Sequence, residues 1–261
     1  MQLSVGMGTD VGRMRATNED SLFADANADR GLFVVADGMG GHAAGEVASA
    51  MAVEILAQEL PLDAAIEDKD PREAMARALR HANDAIYRRT VQEVEKQGMG
   101  TTASALFLAN ERYVIGHIGD SRIYRMRNGE FTQLTKDHSY VQEQVDAGIL
   151  TPEQARAHPY SNVITRCCGA MPEVEPDIED GEFREGDVFL LASDGLTAML
   201  DDKRIEQVVR SPLSPSRLVA KLISEANARG GVDNITAIVV HVTGPSSPPL
   251  VTQPSITAEH G

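Results

Sequence analysis

The sequence predicts an α+β fold in which two antiparallel β-sheets pack face to face and are flanked by helices, a four-layer α-β-β-α sandwich. Three observations support this prediction: short apolar runs bounded by turn residues, helix-like stretches segregated from those runs, and no repeat of fixed period. The chain has 261 residues, of which 42% are hydrophobic and 24% charged, a composition typical of a globular protein with a large core. We expect one domain over residues 1–243. Residues 244–261 contain four of the twelve prolines among serines and threonines, which predicts a flexible tail.

Two stretches follow the periodicity of amphipathic helices. In residues 43–60, apolar side chains recur every four positions and form a broad face. A second helix is predicted to begin at Pro71, because proline suits the first helical position, and to end before Gly98. Its inward face would include Met75 and Ile86.

Apolar runs rich in β-branched and aromatic residues predict the strands. Four runs follow one another with only short turn sequences between them, so we expect them to pair in order as an antiparallel meander. They cover residues 103–108, 113–118, 121–126 and 130–134.

An acidic residue borders each of three further apolar strands. These acids are Asp37 after residues 32–36, Asp194 after residues 188–192, and Asp233 before residues 235–242. Turn chemistry is the alternative explanation for any single Asp-Gly pair. Three acids at strand ends can instead converge at the rim of the core, where their charges are costly unless a cation is bound. Such ligands favour Mg²⁺, Mn²⁺ or Ca²⁺, and a pair of these ions can activate a water for attack on phosphorus.

Charge and cysteine content restrict the partners and the compartment. The formal net charge of −15 disfavours nucleic acid as a partner, because such binding depends on clustered Lys and Arg. The only cysteines, Cys167 and Cys168, are adjacent and form no disulfide framework. No apolar stretch approaches the length that crosses a bilayer, and the first residues lack a basic segment followed by an apolar run. We therefore expect a cytoplasmic monomer that binds no membrane.

Six short motifs are spread along nearly the whole chain. They are Gly12-Arg13-Met14-Arg15 leading to Asn18-Glu19-Asp20, residues 35–42 (VADGMGGH), Met99-Gly100-Thr101-Thr102, Ile118-Gly119-Asp120-Ser121-Arg122, Ser193-Asp194-Gly195-Leu196, and residues 231–236 (GVDNIT). In content and order they resemble the bacterial branch of the type-2C (PPM) protein phosphatases. Members of that family remove phosphate from serine and threonine side chains and depend on Mg²⁺ or Mn²⁺. One such motif would be weak support, and the resemblance rests on the shared order of all six.

The resemblance implies a binuclear metal centre. Asp37 would bridge two Mn²⁺ or Mg²⁺ ions, and the Gly38 carbonyl would bind one of them. Asp194 and Asp233 would bind the other ion.

Three further acids match metal-associated positions of the family. Glu19 and Asp20 would hold metal-bound waters. Asp120 matches the acid that, with the Asp194 region, forms a third metal site in bacterial members.

The resemblance also implies the substrate contacts. Arg15 matches the arginine that grips the phosphate, although Arg13 would face the same side of an extended segment and could exchange roles with it. His42 either protonates the departing serine or threonine oxygen or hydrogen-bonds backbone at the entry to a helix. Residues 136–169 resemble the flap that borders the active site and contributes to substrate choice. Within it, Ser161 stands where many relatives carry an arginine.

The implied function is hydrolysis of phosphoserine and phosphothreonine in proteins by a metal-activated water, in opposition to a Ser/Thr kinase. The implied partners are phosphorylated proteins, among them that kinase and its substrates. One alternative is a Rossmann-type oxidoreductase, since residues 38–43 fit the looser G-x-G-x-x-A fingerprint, but the later acids would then have no role. The other is an inactive phosphatase-like module for binding or sensing. Such a module should have lost a metal acid, whereas Asp37, Asp194 and Asp233 are all present.

Overall fold

The computed structural model describes residues 1–40, 44–62 and 70–244. The strands in these ranges are β1 (Gln2–Asp10), β2 (Asp20–Ala26), β3 (Gly31–Met39), β4 (Gly100–Thr101), β5 (Ala103–Ala109), β6 (Arg112–Ile118), β7 (Arg122–Arg127), β8 (Glu130–Gln133), β9 (Asp177–Glu182), β10 (Val188–Ala192) and β11 (Ile235–Thr243). The α-helices are α1 (Ala44–Glu59), α2 (Pro71–Gln92), α3 (Tyr140–Asp146), α4 (Pro152–Arg156), α5 (Asp194–Met199), α6 (Asp202–Val209) and α7 (Pro215–Ala228). Apart from Gly244, the predicted tail lies outside the described residues.

The strands form two antiparallel sheets. The first sheet has the order β1-β11-β10-β7-β8, and the second has the order β2-β3-β5-β6-β9 with the short β4 beside β3. Their facing surfaces enclose a buried core that includes Phe33, Leu106, Phe189 and Ile238. Every pairing between the described strands is antiparallel. The Rossmann-type alternative is therefore wrong, because that fold is built on a parallel sheet.

Helices cover the outer face of each sheet. The broad apolar face of α1 packs with α2 on the second sheet, in a core that includes Leu56 and Leu79. Helices α5, α6 and α7 pack on the first sheet through residues such as Leu196 and Leu222. The layers thus run α-β-β-α, which confirms the predicted fold class. None of the helices among the described residues combines the length and apolarity needed to traverse a bilayer.

The second predicted helix is stabilised both by its N-terminal cap and by its buried face. Pro71 is its first residue, and the Asp70 side chain caps it by accepting a hydrogen bond from the Arg72 N–H at 3.0 Å. Met75 and Ile86 are buried against the second sheet, as predicted.

The predicted four-stranded meander is wrong. Strands β5 and β6 pair in the second sheet, whereas β7 and β8 pair in the first. The Gly119-Asp120 step is therefore a crossover between the sheets, and Gly119 has a φ of 111°, which glycine adopts without strain. A short link suits a hairpin and a crossover equally in sequence. The choice depends on pairing of β7 with the distant β10.

The turn considered as the alternative explanation for Asp194-Gly195 does not form, because the two residues open α5. Strands β1, β2 and β9 were not predicted from the sequence. Their residues are largely half-buried or exposed, and they carry polar and charged side chains rather than a long apolar run. The predicted flap contains the short helices α3 and α4.

Candidate active site

The candidate site lies at one edge of the sandwich, where strands of both sheets begin or end. Asp37 lies near the end of β3, opposite its register partner Asp20 at the start of β2. Asp194 follows β10, and Asp233 precedes the adjacent β11. Asp120 lies in the crossover that follows β6. Antiparallel pairing thus brings together five acids that are distant in sequence.

The acids at this edge disfavour one another's charged forms. The carboxyl groups of Asp37 and Asp194 are close enough to affect each other's pKa. Burial and then the neighbouring charge of Asp194 raise the pKa of both Asp37 and Asp120 well above the usual range. Burial also raises the pKa of Asp20 to about 7. For Asp194, burial is again the largest cause of a raised pKa, followed by the charge of Asp233.

Three of these acids have a carboxylate oxygen that could bind a cation. Asp20, Asp120 and Asp194 each have a buried Oδ1 without a hydrogen-bond partner among the described residues. Buried carboxylate oxygens normally have a hydrogen bond or a cation, because desolvating an unpaired charge is costly. An oxygen-only set of this kind suits Mg²⁺ or Mn²⁺. In residues 1–40, 44–62 and 70–244, no three side chains of His, Cys, Asp or Glu are already arranged as a set of metal ligands.

Hydroxyl groups that the sequence prediction did not assign hold two of the acids. Ser193 Oγ donates to Asp20 Oδ2 at 2.8 Å and accepts from the Thr236 N–H at 3.0 Å. Thr102 fixes the backbone of Asp37, because its Oγ1 accepts from the Asp37 N–H at 2.8 Å and its own N–H donates to the Asp37 carbonyl at 2.9 Å. The signal for both was available, since each lies within one of the six motifs.

Asn234 is a third unassigned residue, and it anchors the loop before β2. Its Oδ1 accepts from the Glu19 N–H at 2.7 Å. Its Nδ2 donates to the carbonyls of Val11 and Thr17 at 3.0 and 2.9 Å. A buried amide that satisfies three backbone groups of one loop fixes the position of that loop relative to β11.

The two arginines of this loop differ in their surroundings. Arg15 Nη2 donates to Asp233 Oδ2 at 2.7 Å, and half of the Arg15 side chain is exposed. Arg13 instead packs against the Gly231 backbone and donates its own N–H to the Gly231 carbonyl at 2.7 Å. Arg15 is therefore the arginine that contacts the acids, with further donors available to an anion.

Glycines allow the backbone of β3 to approach α1. A Cβ on Gly38 would overlap the Gly45 carbonyl, and one on Gly45 would lie 2.9 Å from Glu19 Oε2. The Gly38 carbonyl and the Glu19 side chain thus lie close together beside the start of α1. Burial raises the pKa of Glu19. His42, predicted nearby, lies outside the described residues.

Ser161, the predicted substrate contact, lies on the wall of a cavity of about 530 Å³. Asp120 and Asp194 line the same cavity, which extends from the acids to α3 and α4. Ser161 and the two acids therefore share one cavity, in which Ser161 belongs to the wall formed by the flap.

Known proteins share this sequence and fold. The family described as Protein phosphatase 2C matches residues 7–230. The serine/threonine protein phosphatase PstP of Mycobacterium tuberculosis is 42% identical over 238 residues, which are 90% of this chain and 44% of that protein. Protein phosphatase PhpP of Streptococcus pneumoniae is 40% identical over 240 residues, which are 91% of this chain and 97% of that protein.

This chain is also similar in fold to a solved structure of the same family. The catalytic domain of PstP in complex with two manganese ions has a TM-score of 0.83 and 40% identity, over 93% of this chain and 99% of that one. The chain thus spans less than half of the mycobacterial relative's full length and nearly all of the streptococcal one's. These similarities confirm the family that the six motifs predicted: the chain belongs to the protein phosphatase 2C family.

Proposed function

We propose that this protein hydrolyses phosphoserine and phosphothreonine in other proteins and depends on two bound Mn²⁺ or Mg²⁺ ions, with a site for a third ion at Asp120. The observation that carries the proposal is the group of acids at one sheet edge, three of which keep an unpartnered buried oxygen among the described residues. The relatives' names and the two manganese ions of the PstP structure support the same reaction and the same metals.

The proposed ligands follow the prediction from sequence. Asp37 and the Gly38 carbonyl would hold one ion, and Asp194 and Asp233 would hold the other together with Asp37. When bound, the ions would activate a water and neutralise charge on the phosphate.

Glu19 and Asp20 would hold waters of the metal shell from the loop that Asn234 anchors. Ser193 supports this role, because it fixes one Asp20 oxygen and leaves the other unpartnered among the described residues. Asp120 would provide the third site together with Asp194. The two acids are near each other, since the charge of Asp194 is the second-largest cause of the raised pKa of Asp120, after burial.

Arg15 would bind the phosphate of the substrate. Its guanidinium is half exposed and is oriented by Asp233, so that its remaining donors can contact two phosphate oxygens. Protonation of the departing oxygen by His42 stays a prediction from sequence, as does contact between Ser161 and the phosphoprotein. We further propose that the enzyme opposes a Ser/Thr kinase, because each hydrolysed phosphate requires a kinase to restore it.

Phosphate release tests the proposal. The substrates are p-nitrophenyl phosphate and a phosphothreonine peptide, each with Mn²⁺ or with EDTA, and the variants are Asp37→Ala and Asp233→Asn. We expect EDTA or either substitution to lower the rate by more than about 10²-fold, because the reaction loses its electrostatic stabilisation. Asp84→Asn is a matched control, since Asp84 pairs with Arg88 on the surface of α2. Equal rates with Mn²⁺ and EDTA would contradict the mechanism.

A further inference from the structure

The cavity beside the acids contains two arginines. Arg122 and Arg156 both line it, together with Asp137, Asp202 and the proposed metal acids. A cation in this position can bind an anionic group of a substrate only if its donors are not already used within the protein.

Arg122 is fully engaged by the protein. Its Nε and Nη2 donate to the Asp137 carboxylate at 2.7 to 3.0 Å, and its Nη1 donates to the Tyr124 hydroxyl at 3.1 Å. The same Nη1 lies 3.5 Å from Asp202 Oδ1. Only 19% of the Arg122 side chain is exposed, so this arginine supports the cavity wall and is not available to a substrate.

The Arg156 side chain, in contrast, has guanidinium donors that no described residue uses. Arg156 is the last residue of α4 and is exposed, and the one hydrogen bond of its side chain to a described residue runs from Nη2 to the Thr197 carbonyl at 3.1 Å. No acidic side chain lies within ion-pair distance of it in the described part of the chain. Its other guanidinium donors can therefore bind an anion. Ser161 and Asn162 line the same cavity, and their side chains also make no hydrogen bond with another described residue.

The hydrogen bond to Thr197 also sets how far Arg156 lies from the reaction. Thr197 follows Asp194 by three residues in α5, a rise of about 4.5 Å. An extended peptide advances about 3.3 to 3.6 Å per residue. Arg156 is thus within reach of a side chain about one to three residues from the phosphorylated residue.

We propose that Arg156, assisted by Ser161 and Asn162, binds a carboxylate side chain of the phosphoprotein and gives this phosphatase a preference for acidic sequences around the phosphorylated residue. The inference rests on the proposed function and adds a substrate class to it. The net charge of −15 repels acidic peptides in general, so a preference for them requires a local cation of this kind.

Peptide kinetics test the inference. The substrates share one phosphothreonine and differ only nearby, with Glu before it, Glu after it, Gln on both sides or Lys on both sides. For the wild-type chain with Mn²⁺, we expect kcat/KM to be about three- to tenfold higher for at least one Glu peptide than for the Gln peptide, mainly through KM. Raising the salt concentration should reduce the ratio.

Two substitutions identify the residue. Arg156→Gln should bring the Glu-to-Gln ratio to about one, and Arg156→Glu should make the Lys peptide the preferred substrate, a reversal that an unfolded or displaced flap would not produce. Arg217→Gln is the control, because it removes the same charge from an exposed position of α7 outside the cavity, and it should keep the wild-type ratio.

The outcomes separate the two proposals. A wild-type chain that hydrolyses all four peptides equally, or an Arg156→Gln variant that keeps the preference, would overturn the role of Arg156 and leave the phosphatase activity intact. A wild-type chain that releases phosphate from none of the peptides, nor from p-nitrophenyl phosphate, would overturn the proposed function and the acidic preference with it.

Discussion

Strand β10 has an aspartate at each end, and the two have opposite environments. Asp187 precedes the strand and Asp194 follows it, each beside a glycine and an apolar run. In sequence the two positions resemble each other closely. In the structure one carboxylate is fully paired, and the other lies among further acids.

Asp187 is a structural acid. It is only 1% exposed, and Arg127 donates to both of its oxygens at 2.6 and 2.7 Å. The Arg184 N–H adds a third hydrogen bond at 2.8 Å. Asp194 has an unpartnered Oδ1 among the described residues and is close enough to the carboxyl of Asp37 to affect its pKa. An acid that the protein leaves unpaired beside another acid indicates a cation site, whereas a paired one indicates a structural role.

The largest expected difference between the two ends is in activity. Asp194→Asn should lower kcat/KM for a phosphothreonine peptide by more than about 10²-fold at saturating Mn²⁺, because a proposed metal ligand loses its charge. Asp187→Asn should stay within about twofold of wild type, since Asp187 lies at the far end of β10. A comparable loss of activity in both variants would contradict the distinction.

Stability in EDTA should show the reverse order. Asp187→Asn should lower the free energy of unfolding by about 2 to 3 kcal/mol, because a buried, charge-assisted pair with Arg127 is lost. Asp194→Asn should leave it unchanged or raise it, since the substitution removes the burial of a charge and its repulsion from Asp233. Urea denaturation measures both. A strong destabilisation by Asp194→Asn would show that its charge is already compensated without metal.

The stability of the metal-free protein should also depend on pH, because the acids are buried. In the folded chain the pKa of Asp20 is about 7, whereas an unfolded aspartate ionises near its ordinary pKa of 3.8. Between these values the unfolded chain binds fewer protons, so stability falls as pH rises from about 4 to about 7, by at most about 1.4 kcal/mol per pH unit for this group. Asp37 and Asp120, whose pKa values are also raised, extend the loss to higher pH.

Urea midpoints in EDTA between pH 5 and 8 measure this slope, and Asp20→Asn should make it shallower. Mn²⁺ should oppose the loss, since it binds the ionised carboxylates, and its stabilising effect should grow with pH. A midpoint that rises with pH in EDTA would show that the acids are not mutually destabilising.

The comparison at β10 also shows what the sequence could predict. The apolar runs of β3, β10 and β11 located three of the acids at strand ends, because a fully buried strand is visible in composition alone. The helix that begins at Pro71 was equally accessible, since its start signal and its periodicity agree. The assignment of individual ligands stays a prediction, which the kinetic experiments above address.

What the sequence could not predict depends on long-range pairing. The crossover at Gly119-Asp120 follows from pairing of β7 with β10, which no local pattern encodes. For the same reason, the positions of Ser193 and Asn234 became interpretable only when their partners Asp20 and Glu19 were placed beside them. Turn propensity also suggested a turn at Asp194, where α5 begins, because Asp and Gly occur at turns and at helix starts alike.

The smallest expected effect concerns the crossover that carries Asp120, which is positioned by a histidine rather than by an ion pair. His138 Nδ1 accepts from the Gly119 N–H at 3.0 Å, and the His138 N–H donates to the Gly119 carbonyl at 2.7 Å. Because Nδ1 is an acceptor, the ring proton is on Nε2, which donates to Asp177 Oδ2 at 3.1 Å. His138 thus links the first residues of the flap to the loop of a proposed metal acid.

His138→Leu should lower the free energy of unfolding by about 1 to 2 kcal/mol, because the buried Gly119 N–H loses its partner. It should also raise the Mn²⁺ concentration needed for half-maximal activity several-fold, since the backbone of Asp120 is less well fixed. His138→Asn can keep an acceptor near the Gly119 N–H and should restore part of both losses, and His81→Leu, at an exposed position of α2, is the matched control. If His138→Leu changes stability but not the Mn²⁺ requirement, the histidine supports the flap alone and Asp120 is held in place by other contacts.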